Sequence, residues 1–326
     1  MRRRSVRITA TLIVTGAAVA YIVSKVDLQK TWDIIRDASV PWLIASAVLT
    51  VVTVPPMAWR WQMLLRVRGV FDRIPWLTRA YFASYAVGQV LPTSVGGDAW
   101  RIFETSRRHP GEITPVTGSV LLERALGGAV TLVLAGLGTL LAIGRYPIGA
   151  YLWIEGLFVV GTATAAFVFF SRRVRAQLRF LVPIVRKLRL EAPARAVYEG
   201  LHGYRDYPGT LFKVALITAA TQLTRVLAIY ASGRAVGIEL GLLPYVVLGP
   251  LLFLVMLVPF TVNGIGVREA FFVSFLGKLG VPPDQAFACG FLFFVMTILL
   301  ALPGVGILLW ENVFGRRRPA VADGTA

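Results

Sequence analysis

Several apolar runs in this chain exceed the ~18 residues that mark a membrane span, and that feature excludes most folds at once. Inside a bilayer every backbone amide needs a partner within the protein, which leaves helices or a closed barrel. The runs are long and do not alternate, so they predict helices. Charged residues make up 16% of the 326 residues and apolar ones 56%, where a soluble domain carries about 25% charge. The expected class is an all-α polytopic membrane protein, and soluble enzyme folds are ruled out. Cys289 is a lone cysteine and cannot pair within the chain. His109 and His202 stand far apart with no Cys/His cluster, so no metal and no other cofactor is expected. The net charge of +17 would suggest nucleic acid in a soluble protein. On a chain of spans it fits basic loops against anionic lipid, and nucleic acid is not expected as a partner.

Charge places the spans. Arg2, Arg3, Arg4 and Arg7 precede Ile8–Val23, which puts the N-terminus in the cytoplasm. Ala18-Val19-Ala20 offers a small-x-small site, so a cleaved leader is the alternative for this segment. Leu28–Ala38 reads as an amphipathic helix at the outer interface, or as a structured loop. Trp42–Trp59 runs inward, and Arg60, Arg66, Arg68 and Arg73 mark the loop after it. Ile113–Ile143 and Ile148–Phe170 form a pair of long spans. The segment 172–207 holds nine Lys/Arg and is expected in the cytoplasm, where its amphipathic basic part suits anionic head groups. Leu211–Ala231 crosses outward and Ala286–Trp310 crosses back. Pro303-Gly304 suggests a kink in that last span.

Two apolar stretches do not fit as single spans. Pro75–Leu91 is flanked by Arg73/Arg79 and Arg107/Arg108, both wanting the same side. A re-entrant hairpin resolves this, entering with Trp76–Leu91 and returning with Asp98–Arg107. Leu243–Val258 behaves alike from the opposite face. The expectation is six full spans plus two re-entrant helical hairpins, with both termini cytoplasmic. The tips match without gaps. Pro92-Thr93-Ser94-Val95-Gly96-Gly97-Asp98-Ala99-Trp100-Arg101 pairs with Pro259-Phe260-Thr261-Val262-Asn263-Gly264-Ile265-Gly266-Val267-Arg268. Broken segments at corresponding places in an inverted repeat point to a transporter's midplane site. Two ordinary helix breaks in loops are the alternative.

The tips carry suitable chemistry. Gly96, Gly97, Gly264 and Gly266 permit positive φ or close ligand approach. Ser94, Thr261 and Asn263 offer side-chain partners, and each tip opens a helix whose amides favour an anion. Arg101 and Arg268 sit just inside those helices, accompanied by Asp98 and Glu269. Glu123-Arg124 lies about eleven residues into its span, roughly 16 Å deep. Thr218, Thr221, Gln222 and Arg225 share one helical face. Charges at this depth are costly and functional by default, the alternative being internal pairs, such as Arg101 with Asp98 or Glu123, that pin the hairpins.

The order Arg60-Trp61, Pro92…Gly96-Gly97-Asp98…Arg101, Glu123-Arg124 and Pro259…Gly264-Ile265-Gly266-Val267-Arg268-Glu269 resembles the lysylphosphatidylglycerol synthase transmembrane region family, over roughly residues 7–312. The resemblance implies a multi-pass protein of a bacterial or archaeal inner membrane that moves lipids between leaflets. Bifunctional relatives carry a soluble aminoacyltransferase domain. Only sixteen residues follow Trp310, so aminoacyl transfer, and enzyme activity generally, is not expected. The domain expected is 1–312, with repeats at about 40–143 and 209–310, and a tail at 313–326. The expected function is translocation of a phosphate-bearing or other anionic lipid. Alternatives are a membrane-embedded transferase on a lipid phosphate, or a scaffold for envelope lipid synthesis. Expected partners are membrane lipids with anionic head groups, with a second copy or an envelope enzyme as candidate protein partners.

Overall fold

A computed structural model describes residues 20–90, 96–147, 149–170, 203–257, 264 and 266–314. Regular structure among them is helical, with no strand. The helices are α1 (Leu28–Arg36), α2 (Val40–Val52), α3 (Val54–Val67), α4 (Ile74–Val90), α5 (Gly96–Arg108) and α6 (Ile113–Ala142). They continue with α7 (Leu152–Phe170), α8 (Pro208–Ala235), α9 (Leu242–Leu257), α10 (Val267–Gly277), α11 (Pro283–Leu299) and α12 (Ala301–Phe314). Among the described residues four helices are long and apolar enough to cross a membrane: Val40–Val67, Ile113–Ala142, Pro208–Ala235 and Pro283–Trp310. Of the other two spans expected, residues 152–170 form the nineteen-residue α7, and Ile8–Val23 falls largely outside the described residues. So do most of the basic loop, the tail from residue 315, and Ser94, Thr261 and Asn263.

The α1 stretch is a helix, capped by Asp27 Oδ1, which accepts from the amides of Gln29 (2.9 Å) and Lys30 (3.2 Å). Trp32 and Leu28 are exposed on one side while Thr31 packs inward, and α1 lies against α11. The second span breaks at Thr53, because Pro55 and Pro56 cannot donate to the carbonyls of Val51 and Val52. Past the break it does not end at Trp59. It runs on to Val67, and Arg60, expected in a loop, is buried on α3. The last span breaks at Leu300, about one turn before the expected Pro303, whose ring nitrogen cannot donate to Leu299.

α4 and α5 hold 17 and 13 residues, roughly 25 and 20 Å of helix, and α9 and α10 hold 16 and 11. None reaches the ~30 Å of a bilayer core. At the far end of α5, Arg108 Nε (2.8 Å) and His109 Nε2 (2.7 Å) meet the buried Asp72 carboxylate, tying the helix to the loop before α4.

Contacts fix the relative directions. Ser46 meets Ser232 at 2.9 Å and Arg60 meets Thr218, so α2–α3 and α8 run antiparallel. Leu122 clusters with Val214 and Thr131 bonds Gln222, so α6 and α8 run parallel. Gln285 bonds the Val236 carbonyl and Cys289 lies beside Ile229, so α11 runs antiparallel to α8. Two further contacts cross the chain reciprocally. α9 lies on α6, where a Cβ at Gly138 would stand 2.8 Å from the Val246 carbonyl oxygen. α4 lies on α12, where Gly304 faces the Phe82 carbonyl with no room for a Cβ. The first arm of each short-helix pair thus sits on the last span of the other half.

Candidate functional site

The broken span, the first short pair, α6, α8 and α9 surround a cavity of about 350 Å³. Glu123 of α6 is its hub. Its Oε1 accepts from Arg60 Nε (3.0 Å) and Nη2 (2.5 Å) on α3 and from the Tyr81 hydroxyl on α4. Its Oε2 accepts from Arg101 Nη1 (2.9 Å) on α5. Arg60 also donates to Thr218 Oγ1 on α8 at 2.9 Å. Five helices therefore converge on one carboxylate, directly or through one guanidinium. A carboxylate with about four lone-pair positions can take that many donors; a neutral side chain cannot.

Arg101 is 2% exposed. Its guanidinium lies against the rings of Trp61 and Tyr81, 4.5 and 4.2 Å from their centroids, and the two rings pack edge to face, so two cation–π contacts help fix the fork. It also donates to Asp98 Oδ1 at 2.8 Å, and Asp98 accepts from Arg124 Nε with its other oxygen. The charges thus form a chain: Arg60, Glu123, Arg101, Asp98, Arg124. This is the internal pairing that the sequence left open, and it faces a cavity as well.

A second polar region lies further along α8. Arg225 Nη2 reaches the Tyr85 hydroxyl (3.0 Å) and Met57 sulfur (3.1 Å), and its Cζ lies 5.7 Å from the Phe253 ring centroid. Gln222 Nε2 donates to Thr131 Oγ1 at 2.7 Å. Thr218, Thr221, Gln222 and Arg225 all line the cavity, as their shared face requires.

The second tip is placed differently. Arg268 Nε donates to the adjacent Glu269 carboxylate at 2.9 Å, Nη2 does the same, and its Cζ lies 4.3 Å from the Phe294 ring centroid. Glu269 Oε2 in turn accepts from the Gly266 amide at 2.8 Å, closing the start of α10. None of Gly264, Gly266, Arg268 and Glu269 lines the cavity. The cavity thus gathers Asp98, Arg101, Glu123, Arg124, Gln222 and Arg225 from the expected set. It adds Arg60, Tyr81, Tyr85 and Thr131, which sequence reasoning missed.

The tip glycines do different work. Gly264 (φ 73°) and Gly266 (φ 84°) take the left-handed conformation. Gly96 and Gly97 lie within α5, and a Cβ at Gly97 would stand 2.5 Å from the Ser84 carbonyl oxygen, so its smallness seats α5 on α4. Gly264→Ala is expected to cost about 1–2 kcal/mol by strain. Gly97→Ala is expected to lower the melting temperature by collision, and the smaller partner in Gly97→Ala/Ser84→Gly should not restore it, because the obstacle is backbone. Thermal melts of the purified variants check both.

The family model described as "Lysylphosphatidylglycerol synthase TM region" matches residues 8–304. A stretch of 146 residues, 45% of this chain, is 29% identical to the protein of Haloferax volcanii named glycosyltransferase AglD. The match spans 23% of that protein's length.

Proposed function

Because the chain belongs to the lysylphosphatidylglycerol synthase TM region family, we propose that it is a lipid translocase moving a phosphate-bearing or other anionic lipid between the leaflets of an inner membrane. The observation that carries this reading is the cavity. A closed structural core would fill such a space with apolar side chains, whereas this one holds four arginines and two acids at the depth of the spans. Polar space inside a bundle gives a head group a route that lipid tails do not offer.

On this reading residues 40–143 and 209–310 are the two repeats, α4–α5 and α9–α10 the re-entrant pairs, and both termini lie in the cytoplasm with the basic loop. The antiparallel run of α2–α3 against α8, the first spans of the two repeats, supports an inverted relation. Asp98, Arg101, Glu123, Arg124, Gln222 and Arg225 form the head-group site. The second tip, with Arg268 held by Glu269, steadies its hairpin. Movement then comes from one repeat rocking against the other. No Gly-x-x-x-x-Gly-Lys-Ser/Thr loop occurs in the sequence.

The test is reconstitution in vesicles carrying a fluorescent anionic lipid in both leaflets, with an impermeant quencher outside. Protein-containing vesicles are expected to lose fluorescence beyond the outer-leaflet half, at a rate that scales with protein content. A plateau at one half in every preparation would sink the reading. The similarity to a protein named a glycosyltransferase favours a second reading, a membrane-embedded transferase on a lipid phosphate. A chemically altered lipid recovered from the same vesicles would favour it, and unaltered lipid with no movement would leave a scaffold.

A further inference from the structure

Resting on the cavity as a head-group site, we infer that its occupant carries a hydroxylated group beyond the phosphate, a polyol or sugar, seated where Gly127 and Gly128 leave room beside Gln222. Two other glycines of α6 have neighbours that exclude a side chain. A Cβ at Gly136 would stand 3.0 Å from Glu155 Oε1, and one at Gly138 would stand 2.8 Å from the Val246 carbonyl oxygen. Gly127 and Gly128 differ. Among the described residues no atom lies within 4 Å of the place a Cβ would take at either. Both lie inside the helix and neither has a positive φ, so alanine would serve the helix better. Both line the cavity, with Glu123, Arg124 and Thr131 on the same stripe of α6. The bare stretch begins four residues past Glu123, about 6 Å along the helix. What the pair supplies there is volume. An occupant held by its phosphate at the arginines has space in it for whatever the phosphate bears.

The chemistry of that volume comes from Gln222 on α8. Its Nε2 donates to Thr131 Oγ1 at 2.7 Å, and the Thr131 hydroxyl donates to the Gly127 carbonyl at 2.8 Å. A hydroxyl has one proton to give, so Thr131 accepts from the glutamine, and this fixes which way the amide is turned. Gln222 Oε1 is left as a buried acceptor with no partner among the described residues. Buried acceptors are normally paired, and this one calls for a donor. Phosphate oxygens do not supply one, whereas a hydroxyl does. An ammonium would also donate, but it would set a second cation beside Arg225, one turn further along α8. A hydroxyl brings the donor without the charge. Gln222 and Arg225 share a helical face and both line the cavity, so one helix presents an acceptor for the hydroxyl next to a guanidinium for the phosphate.

The experiment measures lipid binding to the purified full chain, with identical acyl chains throughout. Phosphatidylethanol, phosphatidylglycerol and phosphatidylinositol are all singly charged phosphodiesters; the first has no hydroxyl, the last the largest hydroxylated group. Both hydroxylated lipids are expected to bind about tenfold tighter than phosphatidylethanol, the scale of one or two hydrogen bonds. Gln222→Met, similar in shape but without the amide, should bring phosphatidylglycerol and phosphatidylethanol within about twofold of each other. Gly127→Ala/Gly128→Ala should weaken phosphatidylinositol about tenfold and leave phosphatidylethanol within about twofold of wild type, because added methyl groups fill the space only the larger group uses. The same variant should melt at or above the wild-type temperature, the opposite of what a packing role predicts. Equal binding of phosphatidylethanol and phosphatidylglycerol to the wild-type protein overturns the inference. So does a glycine variant that weakens all three lipids alike, which would mark a hinge in α6. Tighter binding of phosphatidylethanolamine than of phosphatidylglycerol assigns the donor to an amine and overturns the hydroxyl. Displacement of phosphatidylglycerol by an equal concentration of glycerophosphoglycerol, its head group without chains, overturns the lipid source. The expected order of binding with no movement in vesicles refutes translocation and leaves the recognition standing, while movement without hydroxyl preference does the reverse.

Discussion

Glu123→Gln is expected to lower the melting temperature of the purified protein more than any other single change among the cavity side chains. The carboxylate accepts from Arg60, Tyr81 and Arg101, and both arginines are buried. A glutamine offers one acceptor oxygen and turns an amide NH2 donor toward guanidinium groups. Removing one partner of a buried ion pair costs about 3–5 kcal/mol, because the partner's charge is left unmatched. Tyr81→Phe removes one donor and leaves the charges paired, so a loss of about 1 kcal/mol is expected. Arg60→Met combined with Glu123→Gln should recover part of the deficit, since Arg101 keeps Asp98. The double-mutant comparison by thermal melting separates the hub from general intolerance of substitution. A Glu123→Gln protein that melts with the wild type would show that the five helices do not depend on it.

The second large effect is expected at Gly304. A Cβ there collides with the Phe82 carbonyl of α4, and backbone cannot step aside as a side chain can. Gly304→Val should therefore unseat α4 from α12, at a cost above the ~1–3 kcal/mol typical of an overpacked core. Gly138→Val should do the same to α9 on α6, to a lesser degree, since its Cβ would stand 2.8 Å from the Val246 carbonyl oxygen. Gly306 shares α12 with Gly304 and has open space around its Cβ position. Gly306→Ala is the internal control and should be neutral or slightly stabilising through helix propensity. Melting temperatures of the three variants, with protease sensitivity of the 74–108 segment, decide the matter. Equal behaviour of the 304 and 306 variants would remove the seat from the account.

Helicity, the long spans and the two short pairs were legible from run length and broken hydropathy. The cavity was legible only in part. Asp98, Arg101, Glu123, Arg124, Gln222 and Arg225 stood out because a charge or amide inside an apolar run is visible in one dimension. Arg60 did not, because it follows Trp59 where a run of basic residues begins, and a helix exit and a buried arginine look alike there. What distinguishes them is Glu123, 63 residues away in sequence. Tyr81, Tyr85 and Thr131 carry no charge and sit among residues of similar hydropathy, so nothing marked them. The paired tips misled in the other direction. Arg101 and Arg268 match in register, yet Arg268 has a glutamate as its next neighbour where Arg101 has Ile102, and the adjacent carboxylate takes the guanidinium. A position shared by two matching stretches of sequence does not make the two side chains face the same way when their neighbours differ.

The seating of α4 on α12 also has a temporal side. Phe82 and Gly304 are separated by more than two hundred residues, so α4 leaves the ribosome long before its resting place exists. At about 5–20 residues per second the interval is roughly ten to forty seconds. Through that time the first helical pair is held by its own hairpin contact and by α3 and α6, with the flank of α4 that α12 will cover still open. α9 waits for nothing, because α6 is already in place when it emerges. The order of synthesis makes the seat of α4 a provisional one and that of α9 complete from the start.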